Sequence, residues 1–188
     1  LLEGVQGLRV ADPSLETTHM GPLVSQSHRA SIEHYVALGQ EEGGRVLCGG
    51  KRPTGGYYDQ GSYYLPTVLE GLSNQARLCR EEIFGPVLAL LPWQDEDDLI
   101  AQCNDNDYGL ASGIWTRDYK TAWRIGRALQ TGTVWINTYK LFSVSTPFGG
   151  VKLSGVGREK GRLGILEYTT QKSFYWGMNE APLPWAQS

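Results

Sequence analysis

Apolar and polar positions alternate along this chain in patches that predict a mixed fold. Residues 1–24 hold Gly, Pro and Asp, with prolines at 13 and 22, and read as a connecting segment. From Ser25 the pattern turns helical, with Ile32, Tyr35, Val36 and Gly39 recurring at spacings of three and four, until Gly43-Gly44 stops it. Arg45–Cys48 is a short strand ended by Gly49-Gly50, residues 51–62 form an exposed turn region, and Tyr63–Leu69 is extended. Pro66 argues that this extended segment lies at a sheet edge. Val87–Trp93 is an unbroken apolar run, the pattern of a strand buried on both faces.

A second set of elements follows. Asp95–Asp98 opens a helix, its acids favoured at the positive N-terminus, with Leu99, Ile100 and Cys103 forming the apolar face. Leu110–Thr116 is a strand. Asp118 or a neighbour caps a helix running through Leu129, with Ala122, Ile125, Ala128 and Leu129 on one side. Thr133–Asn137 is a third buried strand. Strand, helix, strand, helix, strand over residues 87–137 predicts parallel strands joined by crossover helices. Residues 138–157 form a long irregular loop, and such loops are commonly functional. A short helix over Glu159–Leu166, a strand over Thr169–Trp176 and a loose tail from Gly177 complete the expectation.

Composition changes this picture little. The 188 residues are 40% hydrophobic and 20% charged, ordinary for a globular chain. A net charge of -3 gives no reason to expect nucleic acid, and no apolar run is long enough to span a bilayer. No secretory signal is visible and the first residue is not Met, which fits a processed, truncated or cloned fragment. Three cysteines, Cys48, Cys79 and Cys103, without a CxxC spacing, read as reduced, buried thiols of a cytoplasmic protein. No metal site is expected.

The sharpest motif is Glu81-Glu82-Ile83-Phe84-Gly85-Pro86-Val87. A carboxylate just before a strand can accept hydrogen bonds from both hydroxyls of a ribose, and an adjacent aromatic can hold a flat ring. On chemistry alone the plainer reading is favoured: a turn whose Phe fills the core and whose Glu side chains face water. Adjacent residues of an extended segment point to opposite faces, so Glu81 and Glu82 are not read as an acid/base pair. A second motif, Thr146-Pro147-Phe148-Gly149-Gly150-Val151-Lys152 followed by Ser154-Gly155-Val156-Gly157-Arg158-Glu159, implies tight turns and close backbone approach. It is not a dinucleotide fingerprint: with Gly161 its spacing is GxGxxxG, and it follows a loop instead of a strand.

These motifs resemble the aldehyde dehydrogenase family. EEIFGPV at 81–87, NDNDYGLASGIWT at 104–116, GTVWIN at 132–137 and PFGGVKLSGVGRE at 147–159 match it in the same order, and GPLVS at 21–25 and LCGG at 47–50 agree. The resemblance spans nearly the whole chain. It implies an α/β fold, a parallel-rich twisted sheet with flanking crossover helices, in which residues 1–166 are the C-terminal part of the catalytic domain and residues 167–188 an oligomerisation strand and tail.

The resemblance also implies the site residues. Glu82 would bond the nicotinamide ribose, with Phe84 and Leu110 beside the nicotinamide of NAD or NADP. His28 and Ser31 fall where helix side chains approach the adenine end, and solvent-facing helix positions are an equal reading for both. Phe148 and Phe142 would line the aldehyde tunnel, with core packing as the alternative for each. Lys140 in the same loop would favour an anionic aldehyde, although a solvated surface lysine is the plainer reading. The family reaction forms a cysteine thiohemiacetal and then a thioester, which a Glu-activated water hydrolyses. Its nucleophile, general base and dinucleotide-binding domain lie upstream of the matched region, so the chain alone is expected to be inactive, with no catalytic residue of its own. The expected partners are a small aldehyde and further copies of the chain, joined through the C-terminal strand. The alternative is a non-catalytic interaction module derived from the same fold.

Overall fold

A computed structural model describes residues 1–178. The chain divides into two compact units, Leu1–Asp107 and residues 108 onward. No helix among the described residues is long and apolar enough to cross a membrane.

The first unit begins with a helix that the sequence did not suggest, α1 (Leu2–Gln6). The next, α2 (Gln26–Glu41), starts where its cap predicts: the Ser25 hydroxyl accepts the His28 backbone N–H at 3.0 Å. Its inward face carries Ile32, Val36 and Gly39. Gly39 lets α2 pack closely, since a Cβ there would sit 2.5 Å from Leu78 Cδ1 and push that side chain aside. Against α2 lies a three-stranded sheet of β1 (Arg45–Cys48), β2 (Thr67–Glu70) and β3 (Val87–Leu90). β1 and β2 are antiparallel, β2 and β3 parallel. A 3-10 turn, Gly56–Asp59, sits in the exposed 51–62 region. A short helix, α3 (Arg77–Arg80), precedes the EEIFGP turn, and α4 (Glu96–Asn104) is capped by Asp95, which accepts the Asp98 N–H. The core of this unit is Ile32, Val36 and Tyr64 on one side and Leu69, Leu72, Ala76 and Leu78 on the other.

Three sequence expectations fail here. The segment after Pro66 is the middle strand, not an edge. Pro66 lies just outside the ladder, which opens with the Thr67 N–H donating to the Pro86 carbonyl, so the missing proline donor costs nothing. β3 is shorter than its apolar run and lies at the sheet's edge, with Leu88 exposed. Cys103, expected on the buried face of α4, is exposed.

In the second unit, β4 (Tyr108–Gly109) runs into β5 (Ala111–Ile114), α5 (Tyr119–Ala128) crosses over, and β6 (Thr133–Ile136) pairs parallel with β5. This is the second half of the strand–helix series predicted over residues 87–137; its first strand, β3, pairs with β2 and not with β5. Asp118 caps α5 by accepting the Lys120 N–H, and Ala122 and Ile125 are buried. The loop after β6 is less irregular than expected: β7 (Val151–Lys152) pairs antiparallel with β4, and Phe148 and Glu159 form a two-way backbone bridge. The last helix is α6 (Gly161–Leu166).

The strand expected over Thr169–Trp176 is not seen among the described residues. The segment joins no ladder, and Phe174, Tyr175 and Trp176 are exposed. A strand needs a partner for its N–H and C=O groups, and the described residues supply none. Most of the loose tail from Gly177 lies outside the described residues.

Candidate functional site

The predicted site residues divide between the units. Glu82 and Phe84 lie in the first; Leu110, Lys140, Phe142 and Phe148 lie in the second.

In the first unit, the turn between α3 and β3 separates its two carboxylates by role. Glu81 accepts from Arg77 Nε at 2.7 Å and from the Tyr35 hydroxyl at 2.7 Å. The Arg77 guanidinium, with help from Tyr35, holds its carboxyl at a pKa of about 2. Glu82, one residue on, is exposed, and among the described residues no hydrogen bond or ion pair engages it. Opposite faces of an extended backbone account for the split.

Phe84 does not fill the core. Its ring is 82% exposed, and its backbone is left-handed at φ 54°, a conformation uncommon for a bulky residue. Two neighbours impose that geometry. His28 Nε2 lies 2.9 Å from the Phe84 carbonyl, which can only accept, so Nε2 carries the proton and donates. The two rings meet edge to face at 6.5 Å. Gly85 then passes so close to α2 that a Cβ would sit 2.4 Å from Ile32 Cδ1. His28 therefore holds the turn, and Ser31 is exposed on the same helix. The result is a free carboxylate beside a displayed aromatic ring.

The second unit builds its candidate site on an aromatic cluster. Trp135, on β6, donates through Nε1 to the Leu141 carbonyl at 2.8 Å. Phe142 meets it edge to face at 5.5 Å, Phe148 stacks on it at 6.3 Å, and Phe142 and Phe148 meet each other at 5.0 Å. Phe142 remains 45% exposed and is not a core residue. A cavity of about 380 Å³ opens among Trp135, Phe142, Thr146 and Phe148. Phe148 also lines a larger one of about 880 Å³, together with Leu110, Arg158, Lys160, Ile165 and Tyr168. The structure thus brings Phe142 and Phe148 together and places Leu110 on the same cavity as Phe148. Lys140 lies over the Tyr139 ring, 5.8 Å from its centre.

Sequence reasoning missed two residues of this loop. Asn137, at φ 54°, bonds Thr116 twice, Oδ1 accepting its N–H at 2.9 Å and Nδ2 donating to its carbonyl at 2.8 Å. That clamp fixes where the loop leaves the sheet. Lys160 lies over the Phe142 ring, with Nζ 4.1 Å from its centre. No local pattern signals a contact between residues 18 positions apart. Arg158 braces the loop from within, its Nη1 donating to the Gly150 and Gly157 carbonyls.

The cysteines offer no nucleophile of the usual activated kind. Burial pushes the Cys79 thiol up, and among the described residues no histidine pairs with any of the three. No group of side chains suited to a metal ion occurs among the described residues.

Residues 1–174 match the model of the aldehyde dehydrogenase family. A betaine aldehyde dehydrogenase of Cereibacter sphaeroides is 44% identical over 98% of this chain. A mutant betaine aldehyde dehydrogenase of Staphylococcus aureus, solved with NAD+, superimposes on 100% of the chain with a TM-score of 0.92 and 34% identity. An aldehyde dehydrogenase of Mycobacterium tuberculosis, also solved with NAD+, covers 96% with a TM-score of 0.87 and 43% identity. The chain spans only 38% of the length of the first two relatives and 37% of the third. A match over nearly all of its residues, in sequence and in fold, places this chain in the aldehyde dehydrogenase family.

Proposed function

We propose that this chain is the C-terminal part of an enzyme that oxidises an aldehyde to a carboxylic acid with NAD or NADP, and that it supplies binding surfaces while the nucleophile and general base lie outside these 188 residues. The observation that carries the reading is the split between neighbouring carboxylates: Glu81 is consumed by Arg77 and Tyr35, whereas Glu82 is left exposed beside the displayed Phe84 ring. A carboxylate acceptor next to a flat apolar face fits a nicotinamide riboside, whose vicinal hydroxyls donate and whose ring stacks. When bound, the cofactor would accept hydride from the substrate. Glu82 orients the ribose and Phe84 supports the ring. Phe142 and Phe148 line the path of the aldehyde, with Lys140 at its rim. The relatives solved with NAD+ support the cofactor class.

Titration of the chain with nicotinamide mononucleotide, followed by NMR, tests this. Glu82→Gln should weaken binding by about tenfold or more, since hydrogen bonds to a charged group contribute about 1.5–3 kcal/mol. Unchanged affinity would remove Glu82 from the site. The purified chain should show no NAD+-dependent aldehyde oxidation, and measurable turnover would overturn the division of labour.

Oligomerisation through residues 167–188 belongs to the same proposal. The exposed row Phe174, Tyr175, Trp176 lies in a segment without a ladder of its own, and such a segment gains backbone partners by joining another sheet. Size-exclusion chromatography should show concentration-dependent self-association, and a strictly monomeric chain would refute it.

A further inference from the structure

The aromatic cluster of the second unit carries a charge as well as a shape. Its loop holds residue 160 firmly. The Glu159 and Phe148 backbones bond each other in both directions at 2.8 Å, and the Gly161 N–H donates to the Val144 carbonyl at 2.8 Å. Between these anchors Lys160 takes a left-handed backbone, φ 63°, and its ammonium settles 4.1 Å above Phe142. Lys140 lies over Tyr139, whose ring meets Trp135 at 5.1 Å. Among the described residues neither lysine makes an ion pair. From Tyr119 to Arg158 there are six Lys and Arg and no Asp or Glu, and although Glu159 and Glu167 line the larger cavity together with Arg158 and Lys160, neither carboxylate pairs with Lys160.

From this arrangement we infer that Lys160 is a specificity-determining residue that selects an aldehyde carrying a carboxylate and rejects one carrying a quaternary ammonium. The inference rests on the reading that Phe142 and Phe148 line the aldehyde path. An aromatic wall attracts cations through its ring faces, so an aldehyde bearing a trimethylammonium group would ordinarily suit it. Here the Phe142 face already holds a cation. A second one would meet like-charge repulsion at close range, whereas a carboxylate would meet a lysine that makes no ion pair among the described residues and an apolar wall for its carbon chain. Lys140, which the sequence suggested for this task, stands over Tyr139 on the outer ring of the cluster, while Lys160 stands on the wall itself.

The test uses the whole chain and three alcohols that copy the size of short aldehydes without forming imines: 4-hydroxybutyrate, 1-butanol and choline. Binding is followed by the Trp135 indole N–H and by labelled Phe rings in NMR titrations. The wild-type chain should bind 4-hydroxybutyrate at least fivefold more tightly than choline. Lys160→Met should bring the two within twofold, with 1-butanol unchanged, and Lys160→Arg should keep the preference. Dispersed spectra for both variants establish that each is folded, and Lys160→Gly, which suits the left-handed backbone, repeats the charge removal without strain. Choline binding as tightly as 4-hydroxybutyrate, or a preference that survives Lys160→Met and Lys160→Gly, would overturn the role of Lys160. Failure of all three alcohols to move any Trp135 or Phe signal would instead overturn the underlying reading that these rings line the aldehyde path.

Discussion

The two units of this chain carry opposite charge. Residues 1–107 hold seven Lys and Arg against sixteen Asp and Glu, and residues 108–188 hold ten against four. The modest overall charge of -3 hides an acidic half and a basic half. Their candidate sites differ in the same sense. The acidic unit presents one unpaired carboxylate and one ring. The basic unit presents an apolar box with lysines standing on its walls. The first arrangement suits a vicinal diol with a flat ring, and the second suits a short apolar chain with a negative end. Net charge for the whole molecule therefore excluded too little, because ligands meet local fields and not averages.

The two sites also differ in what holds them, and the largest predicted effects probe that difference. In the basic unit, a Cβ on Gly132 would lie 1.8 Å from the Gly149 carbonyl oxygen, a backbone atom that cannot rotate aside. Gly132→Ala should displace the 147–150 loop, cost about 3 kcal/mol in denaturant unfolding, and broaden the Phe148 ring signals. In the acidic unit the corresponding close approach, at Gly85, meets the tip of the Ile32 side chain. Gly85→Ala should cost less, about 1–2 kcal/mol, because a methyl can shift where a carbonyl cannot. Equal costs would mean that the two loops are held alike.

A smaller effect separates strain from packing. Phe84 keeps φ 54° because His28 bonds its carbonyl, whereas Phe142 and Phe148 are kept by each other and by Trp135. His28→Ala should cost about 1 kcal/mol, the usual net value of one hydrogen bond, and should release the Phe84 ring into faster motion in NMR relaxation. If the ring stays ordered without His28, the turn is held by Gly85 and α2 alone.

How much of this was legible beforehand follows the same line. Caps and periodicity are local, so Ser25, the acidic run Asp95–Asp98 and the neighbourhood of Asp118 marked where their helices begin. The crossover from β5 through α5 to β6 was readable for the same reason. What failed was non-local. Pro66 seemed to demand an edge, but the proline sits one residue outside a central strand. The 138–157 loop hid β7 because two residues pairing with Tyr108-Gly109 leave no pattern of their own. Glu82 and Phe84 were found through a motif, and chemistry alone favoured a buried Phe, which the exposed ring contradicts. Lys160 could not be found at all, because its meeting with Phe142 depends on the Phe148–Glu159 bridge that folds the loop back.

The smallest effect concerns pH, and it sharpens the contrast within the acidic turn itself. The Arg77 hydrogen bond, then that of Tyr35, lowers Glu81 from the ordinary 4.5 to about 2. A carboxylate whose folded pKa is depressed contributes stability that is complete above its unfolded value and is lost as the pH falls through the folded one. Glu81 therefore contributes fully at neutral pH and loses its contribution between about pH 4.5 and pH 2. Glu33, lowered chiefly by its hydrogen bond from Arg52, and Asp118, lowered chiefly by its bond from Thr121, titrate in the same direction. An acid-unfolding curve should accordingly fall in this window. Glu81→Gln should flatten part of it, with a small loss at neutral pH because the Arg77 pair is exposed and screened. Glu82→Gln breaks no ion pair and should leave the curve in place while still weakening nicotinamide mononucleotide. If the two substitutions shift the acid limb equally, the assignment of one carboxylate to structure and the other to a ligand fails.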